Sequence, residues 1–147
     1  PWILPQHLDF TMASGVKVND DCVEKYNQLK LSKDIRYVIF KITDANDEIV
    51  VEKTGSKDKD YASFVNELPA DDSRYAVFDF EYEQEGGLRN KILFVVWAPD
   101  TAKLKRKMLI ASSKDAFRKK LVGIGAEIQG TDRSEVDKDV VREKVLR

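Results

Sequence analysis

"RYAVFDFEYEQEGGLRNKILFVVW", residues 74–97, decides the fold. Its first part, "RYAVFDFEYE" (74–83), alternates along the chain, the period-two pattern of a β-strand. "NKILFVVW" (90–97) is a nearly continuous apolar run, which predicts a central strand buried on both faces. The "EGG" between them reads as a hairpin turn, and Pro99 and Asp100 end the second strand.

Upstream, "RYVIFKI" (36–42) and "EIVVEK" (48–53) are rich in β-branched and aromatic residues, and "TDAND" joins them as a second hairpin. "NDDCVEKYNQL" (19–29) places Asn19 or Asp20 as an N-cap before Val23, Tyr26 and Leu29, the spacing of a short amphipathic helix. "DKDYASFVNEL" (58–68) carries Tyr61, Phe64, Val65 and Leu68 at helical spacing and stops before Pro69. Downstream, "AEIQ" (126–129) is a short strand, followed by a last helix whose apolar side is Val136, Val140 and Val141. The fold class is α/β, a mixed central sheet with helices covering it.

Net charge is only -1 and the sequence pI is about 6.0, which argues against a general nucleic-acid binder, since such affinity needs net positive charge over a broad surface. No apolar run reaches the roughly 18 residues of a membrane span. The single cysteine, Cys22, forms no intramolecular disulfide, which fits a reducing compartment. Residues 1–11, "PWILPQHLDFT", begin with Pro and precede Met12; they read as a leader or expression remnant, with one domain over 12–147. They hold His7, the sole histidine, so no near-neutral switch by the usual route is expected downstream.

Positive charge is nevertheless concentrated in "LKRKMLIASSKDAFRKKL" (104–121), with seven Lys/Arg against one Asp. As a helix it turns Ile110, Phe117 and Leu121 to one side, with Leu109 and Ala116 beside them, and packs that side on the sheet. Opposite lie Lys107, Lys114, Arg118 and Lys119, around an apolar strip of Leu104, Met108 and Ala111 with Asp115. One reading is a solvated face with incidental apolar residues. The sharper one is a protein-binding helix, since an apolar centre in a charged rim is how interfaces are built and methionine adapts its shape to a partner. Arg106 falls on the inward side, and its long side chain is expected to reach water where the helix overhangs the sheet.

An enzyme finds little support. No histidine lies beyond the leader, the acidic "NDD" and "ADD" clusters stand where caps and turns want them, and there is no zinc spacing, phosphate-binding glycine loop or nucleophile elbow. A membrane-surface module that binds anionic phosphoinositides through the Lys/Arg cluster is the alternative function. Nucleic acid would need aromatics interleaved with the cations, and these are missing.

"MASGVKV" (12–18), "LP" followed by "RYAVFDFEYE", "KILFVVWAPDTA" (91–102), "KMLIASSKDAFRKKL" (107–121) and "IQGTDRSEV" (128–136) occur in an order and spacing that resemble the cofilin, or actin-depolymerising factor, family from Met12 to Arg147. The resemblance implies the three-layer ADF-homology architecture, gelsolin-like, with helices on both faces of the sheet. It implies a protein that binds actin monomers and filaments, prefers ADP-actin, severs filaments and speeds their depolymerisation without chemistry or cofactor. Its actin-binding surface would comprise Ser14, Gly15, Lys105, Lys107, Met108, Lys114, Asp115 and Arg118. A filament-specific surface would comprise Arg89, Lys91, Glu143, Lys144 and Arg147.

Ser14 matches the serine whose phosphorylation blocks binding in the family, and phosphoinositides are implied competitors of actin. The expected protein is monomeric and acts in the cytoplasm at the actin cytoskeleton. The basic insertion typical of animal cofilins, a nuclear import signal, is not evident. Lys103 and Arg106 depart from the Pro and small Ser common in relatives.

Overall fold

The structure, a computed structural model, describes residues 15–32 and 34–146. In chain order its elements are β1 (Lys17–Val18), α1 (Asp20–Leu31), β2 (Ile35–Ile42), β3 (Glu48–Ser56), α2 (Tyr61–Asn66), β4 (Arg74–Gln84), β5 (Gly87–Trp97), α3 (Leu104–Lys120), β6 (Ala126–Gly130), a 3-10 turn (Arg133–Val136) and α4 (Lys138–Leu146). The six strands form one sheet in the order β1-β3-β2-β4-β5-β6. β1 and β6 pair parallel to their neighbours and the other strands pair antiparallel, so the sheet is mixed, as expected.

The β4–β5 ladder runs unbroken from Arg74↔Trp97 to Gln84↔Gly87, closed by Glu85 and Gly86 at φ 53° and 76°. Two successive positive φ values make a tight turn whose twist suits a hairpin, and glycine adopts one of them without strain. β5 is interior rather than central, because β6 flanks it and the β2–β4 pair occupies the middle. Only its second half, Leu93–Trp97, is buried on both faces, Phe94 and Val96 belonging to one core layer and Leu93, Val95 and Trp97 to the other, while Gly87–Asn90 are exposed.

That alternation builds three layers. Cys22, Tyr26 and Leu29 of α1 and Ile110, Phe117 and Leu121 of α3 pack with Val38, Phe40, Tyr75, Val77 and Phe94 on one face. Tyr61, Phe64 and Leu68, then Val136, Val141 and Val145, pack with Tyr37, Phe78, Phe80 and Trp97 on the other.

Local signals account for the boundaries that differ from expectation. Asn19 is the N-cap of α1, its side chain accepting from the Asp21 N–H at 2.9 Å. α2 starts only at Tyr61 because Asp60 caps it, accepting from the Ser63 N–H at 2.8 Å. The last helix is shorter than expected: Val136 lies in the 3-10 turn, extended Asp137 separates it from α4, and Val140 is 41% exposed. Val141 and Val145, four apart and therefore on one helix face, take the inward places instead.

Candidate functional site

Phe117 keys α3 to the sheet. Its ring lies 5.1 Å from Phe40, 5.0 Å from Tyr75 and 6.0 Å from Phe94, centroid to centroid. Ile110 and Leu121 are buried with it, as the helical spacing predicts, and the Tyr75 hydroxyl donates to the Ile110 carbonyl. Ser113, which hydrophobic periodicity could not mark, is buried on the same side. Past the helix end, Tyr26 and Lys30 of α1 both donate to the Val122 carbonyl, at 2.8 and 2.7 Å.

With one side fixed, the other faces outward. Leu104 and Met108 are 70% and 61% exposed, with Ala111 and Asp115 also exposed along the strip. Lys105 is exposed beside it, and half-buried Lys107 donates to the Asp100 carbonyl at 3.4 Å. Lys114 and Arg118 are not simply solvated: Glu127 of β6 receives Lys114 at 3.0 Å and Arg118 at 2.6 Å.

Burial works to raise the Glu127 pKa. Hydrogen bonds from Gln129 and Lys114, with the charges of Lys114 and Arg118, overcome it and lower the pKa. The two cations are thereby held at the rim between α3 and the sheet edge. Sequence reading missed Glu127; the signal was the alternation of "AEIQ", which turns Glu127 away from the face that buries Ile128.

Arg106 corrects an expectation. It does not snorkel to water: its side chain is 11% exposed and lies in a polar cage. Nε and Nη2 bind the two Asp72 carboxylate oxygens, each at 3.1 Å. Nη1 donates to the Thr43 carbonyl at 2.7 Å and to Asn46 Oδ1 at 3.0 Å, and Nη2 to the Ile42 carbonyl at 2.7 Å. Asp72 also accepts from Arg74 at 2.7 Å, and Arg74 donates to Glu52 at 3.0 Å, so positive and negative charges alternate through the chain of contacts. Burial works to raise the Asp72 pKa. The hydrogen bonds from Arg106, Arg74 and the Ser73 N–H, with the Arg106 charge, win and leave it at about 2.

The second predicted set lies at the far end of the β4–β5 hairpin. Arg89 is exposed, 3.9 Å from Glu85 across the turn. Lys91 faces the same way two residues on and donates to the Val145 carbonyl at 2.9 Å, tying α4 to β5. Glu143 and Lys144 are exposed on α4, so the structure brings these two elements together. Leu88, 71% exposed beside Arg89, is an apolar residue here that the sequence reading passed over. Gly15 lies before β1 at the other sheet edge, at φ 80°, and Val16 after it is buried in the layer that holds α3. Ser14 and Arg147 lie outside the described residues.

These features define a three-layer α/β domain that presents one long helix as an apolar strip in a basic rim. Residues 15–146 match the family model described as cofilin/tropomyosin-type actin-binding protein. The chain is 56% identical over 137 residues to the cofilin of Mycosarcoma maydis, covering 92% of this chain and 98% of that protein. It is 50% identical over 134 residues to actophorin of Acanthamoeba castellanii, covering 91% and 97%.

Among solved structures, the crystal structure of Streptomyces griseoflavus cofilin superimposes with a TM-score of 0.84 at 54% identity, over 89% of this chain and 97% of that one. That of Plasmodium berghei actin depolymerization factor 2 gives 0.82 at 31% identity, over 92% and 100%. The chain belongs to the cofilin, or actin-depolymerising factor, family.

Proposed function

We propose that this chain binds actin monomers and filaments, prefers ADP-actin, severs filaments and promotes their depolymerisation and turnover at the cytoplasmic actin cytoskeleton. It does so as a monomeric single domain over 12–147, by binding rather than by covalent chemistry. The observation that carries the reading is Met108, 61% exposed between lysines on a helix whose other side is packed on the sheet, in a chain whose family is described as actin-binding. An amphipathic helix laid into a groove on the partner uses such a strip as its anchor and the rim for orientation.

In this reading Lys105, Lys107, Met108, Lys114, Asp115 and Arg118, with Ser14 and Gly15, contact monomers and filaments alike. Arg89, Lys91, Glu143, Lys144 and Arg147 contact a second subunit that only a filament supplies. A phosphate on Ser14 adds about -1.5 to -2 charges next to Gly15 and opposes docking on an acidic partner. Phosphoinositide headgroups compete for the exposed lysines of α3 and inhibit in the same way.

Co-sedimentation with actin filaments, together with single-filament imaging, tests the proposal. Co-pelleting and an increased rate of filament breaks are expected. Absence of binding to both monomers and filaments overturns it.

A further inference from the structure

α3 is unequally secured at its two ends. The last turn carries Arg118, Lys119 and Lys120, which suit the negative end of the helix dipole, and the Val122 carbonyl just beyond is held by Tyr26 and Lys30. The first turn has the opposite character. Its N-cap, Lys103, makes no side-chain capping bond, and there is no acidic residue in the turn. Lys105, Arg106 and Lys107 place like charges at the positive end of the dipole. Yet this turn carries Lys105 and Lys107 and leads into Met108.

We infer that Arg106 is the positioning residue of this surface: by bonding Asp72, Asn46 and the carbonyls of Ile42 and Thr43 it holds the first turn of α3 in its docking orientation without touching the partner. The planar guanidinium joins three separate segments, the end of β2, the turn after it and the loop before β4. Asp72 also brings negative charge to the helix end that lacks an acid of its own. Arg106 itself is mostly buried in these contacts, which keeps it from serving as a contact residue. Its effect on binding therefore passes through Lys105, Lys107 and Met108. The inference rests on the actin-binding reading for its consequence, while its structural part stands separately.

The test compares the full chain with Arg106→Met and Arg106→Lys, each alone and combined with Lys105→Ala. Monomer and filament affinity are measured together with amide hydrogen exchange along α3. Arg106→Met should weaken affinity for both actin forms about tenfold, because preorganisation of the contact turn is lost. Arg106→Lys should fall between Arg106→Met and wild type, since a lysine cannot supply the fork.

Exchange should rise over residues 104–108 and not over 117–121. With Lys105→Ala already present, the added loss should shrink, since both changes act through the same turn. Unchanged affinity, full additivity with Lys105→Ala, or exchange rising evenly over the whole chain overturns the inference. If Arg106→Met does not fold, Asp72→Asn and Asn46→Ala are judged by the same criteria. If the wild-type chain binds no actin, the functional reading fails, and exchange in the first turn alone decides whether Arg106 positions it.

Discussion

The α3 surface and the hairpin–α4 surface are both basic, but they are built differently. On α3 the charges surround exposed Leu104 and Met108, and the helix is pinned by Phe117 in the core and by Val122 at its end. Lys114 and Arg118 are held on Glu127. At the hairpin, Arg89 stands largely in water with a 3.9 Å partner, and strand alternation turns Leu88 to the opposite face from Arg89 and Lys91. A site with an apolar centre and preset charges can carry affinity. One made of charges without an apolar centre adds steering and selectivity.

The strongest way to break this contrast is to attack α3. Lys105→Ala with Lys107→Ala should lower affinity for both actin forms by about a hundredfold, if each lysine contributes about 1.4 kcal/mol. Met108→Ala should cost about 2 kcal/mol, roughly thirtyfold, expressed mainly as faster dissociation. Stopped-flow dissociation and co-sedimentation read these effects. If the Met108 change left the dissociation rate untouched, the helix would be a steering surface like the hairpin.

Glu127→Gln comes next. It leaves the shape of β6 but frees Lys114 and Arg118, and affinity for monomers and filaments should fall about fivefold, the equivalent of about 1 kcal/mol for partly exposed pairs. No change would mean that these two cations need no anchor.

Changes at the hairpin should be smaller and selective. Arg89→Ala should weaken filament binding about threefold and become less costly in high salt, with monomer affinity unaltered. Lys91→Gln should do the same and also speed hydrogen exchange at the end of α4, because the bond to the Val145 carbonyl is lost. Equal losses on monomers and filaments from either change would merge the two surfaces into one.

How much of this could be read in advance follows from the range of each interaction. The β4–β5 register and the inward face of α3 are local patterns, and Ile110, Phe117 and Leu121 lie where spacing puts them. β1 was invisible, since two residues become a strand only by pairing with Glu48 and Ile49. Arg106 was placed on the correct side of the helix and given the wrong surroundings. Its partners come from residues 42–46 and 72, and nothing local to the helix announces them. Asp72 in "ADD" passed for turn chemistry for the same reason. Val140 differs for another reason: valine spacing alone places it inward, and the break at extended Asp137 resets the helix so that Val141 and Val145 take that side.

The smallest effect expected is that of pH. Between pH 6.5 and 8, affinity should change by less than about twofold at constant actin behaviour, because among the described residues the groups that the fold shifts all move away from neutrality. Asp72 falls to about 2 and Glu127 is lowered, while burial lifts Cys22 and Tyr26 to about 12.

Asp72 has a folded pKa below its ordinary value of 3.8, so its stabilising contribution is complete above that value and is lost as pH falls toward 2. Acid should therefore loosen the start of α3 through the Arg106–Asp72 contact while neutral pH leaves both surfaces alike. Exchange along α3 from pH 8 to pH 2, corrected for the intrinsic pH dependence of exchange and with affinity measured above pH 6, checks both halves. A steep neutral transition that persists when actin is held constant would require a titrating group on one surface and would separate the two by charge state rather than by construction.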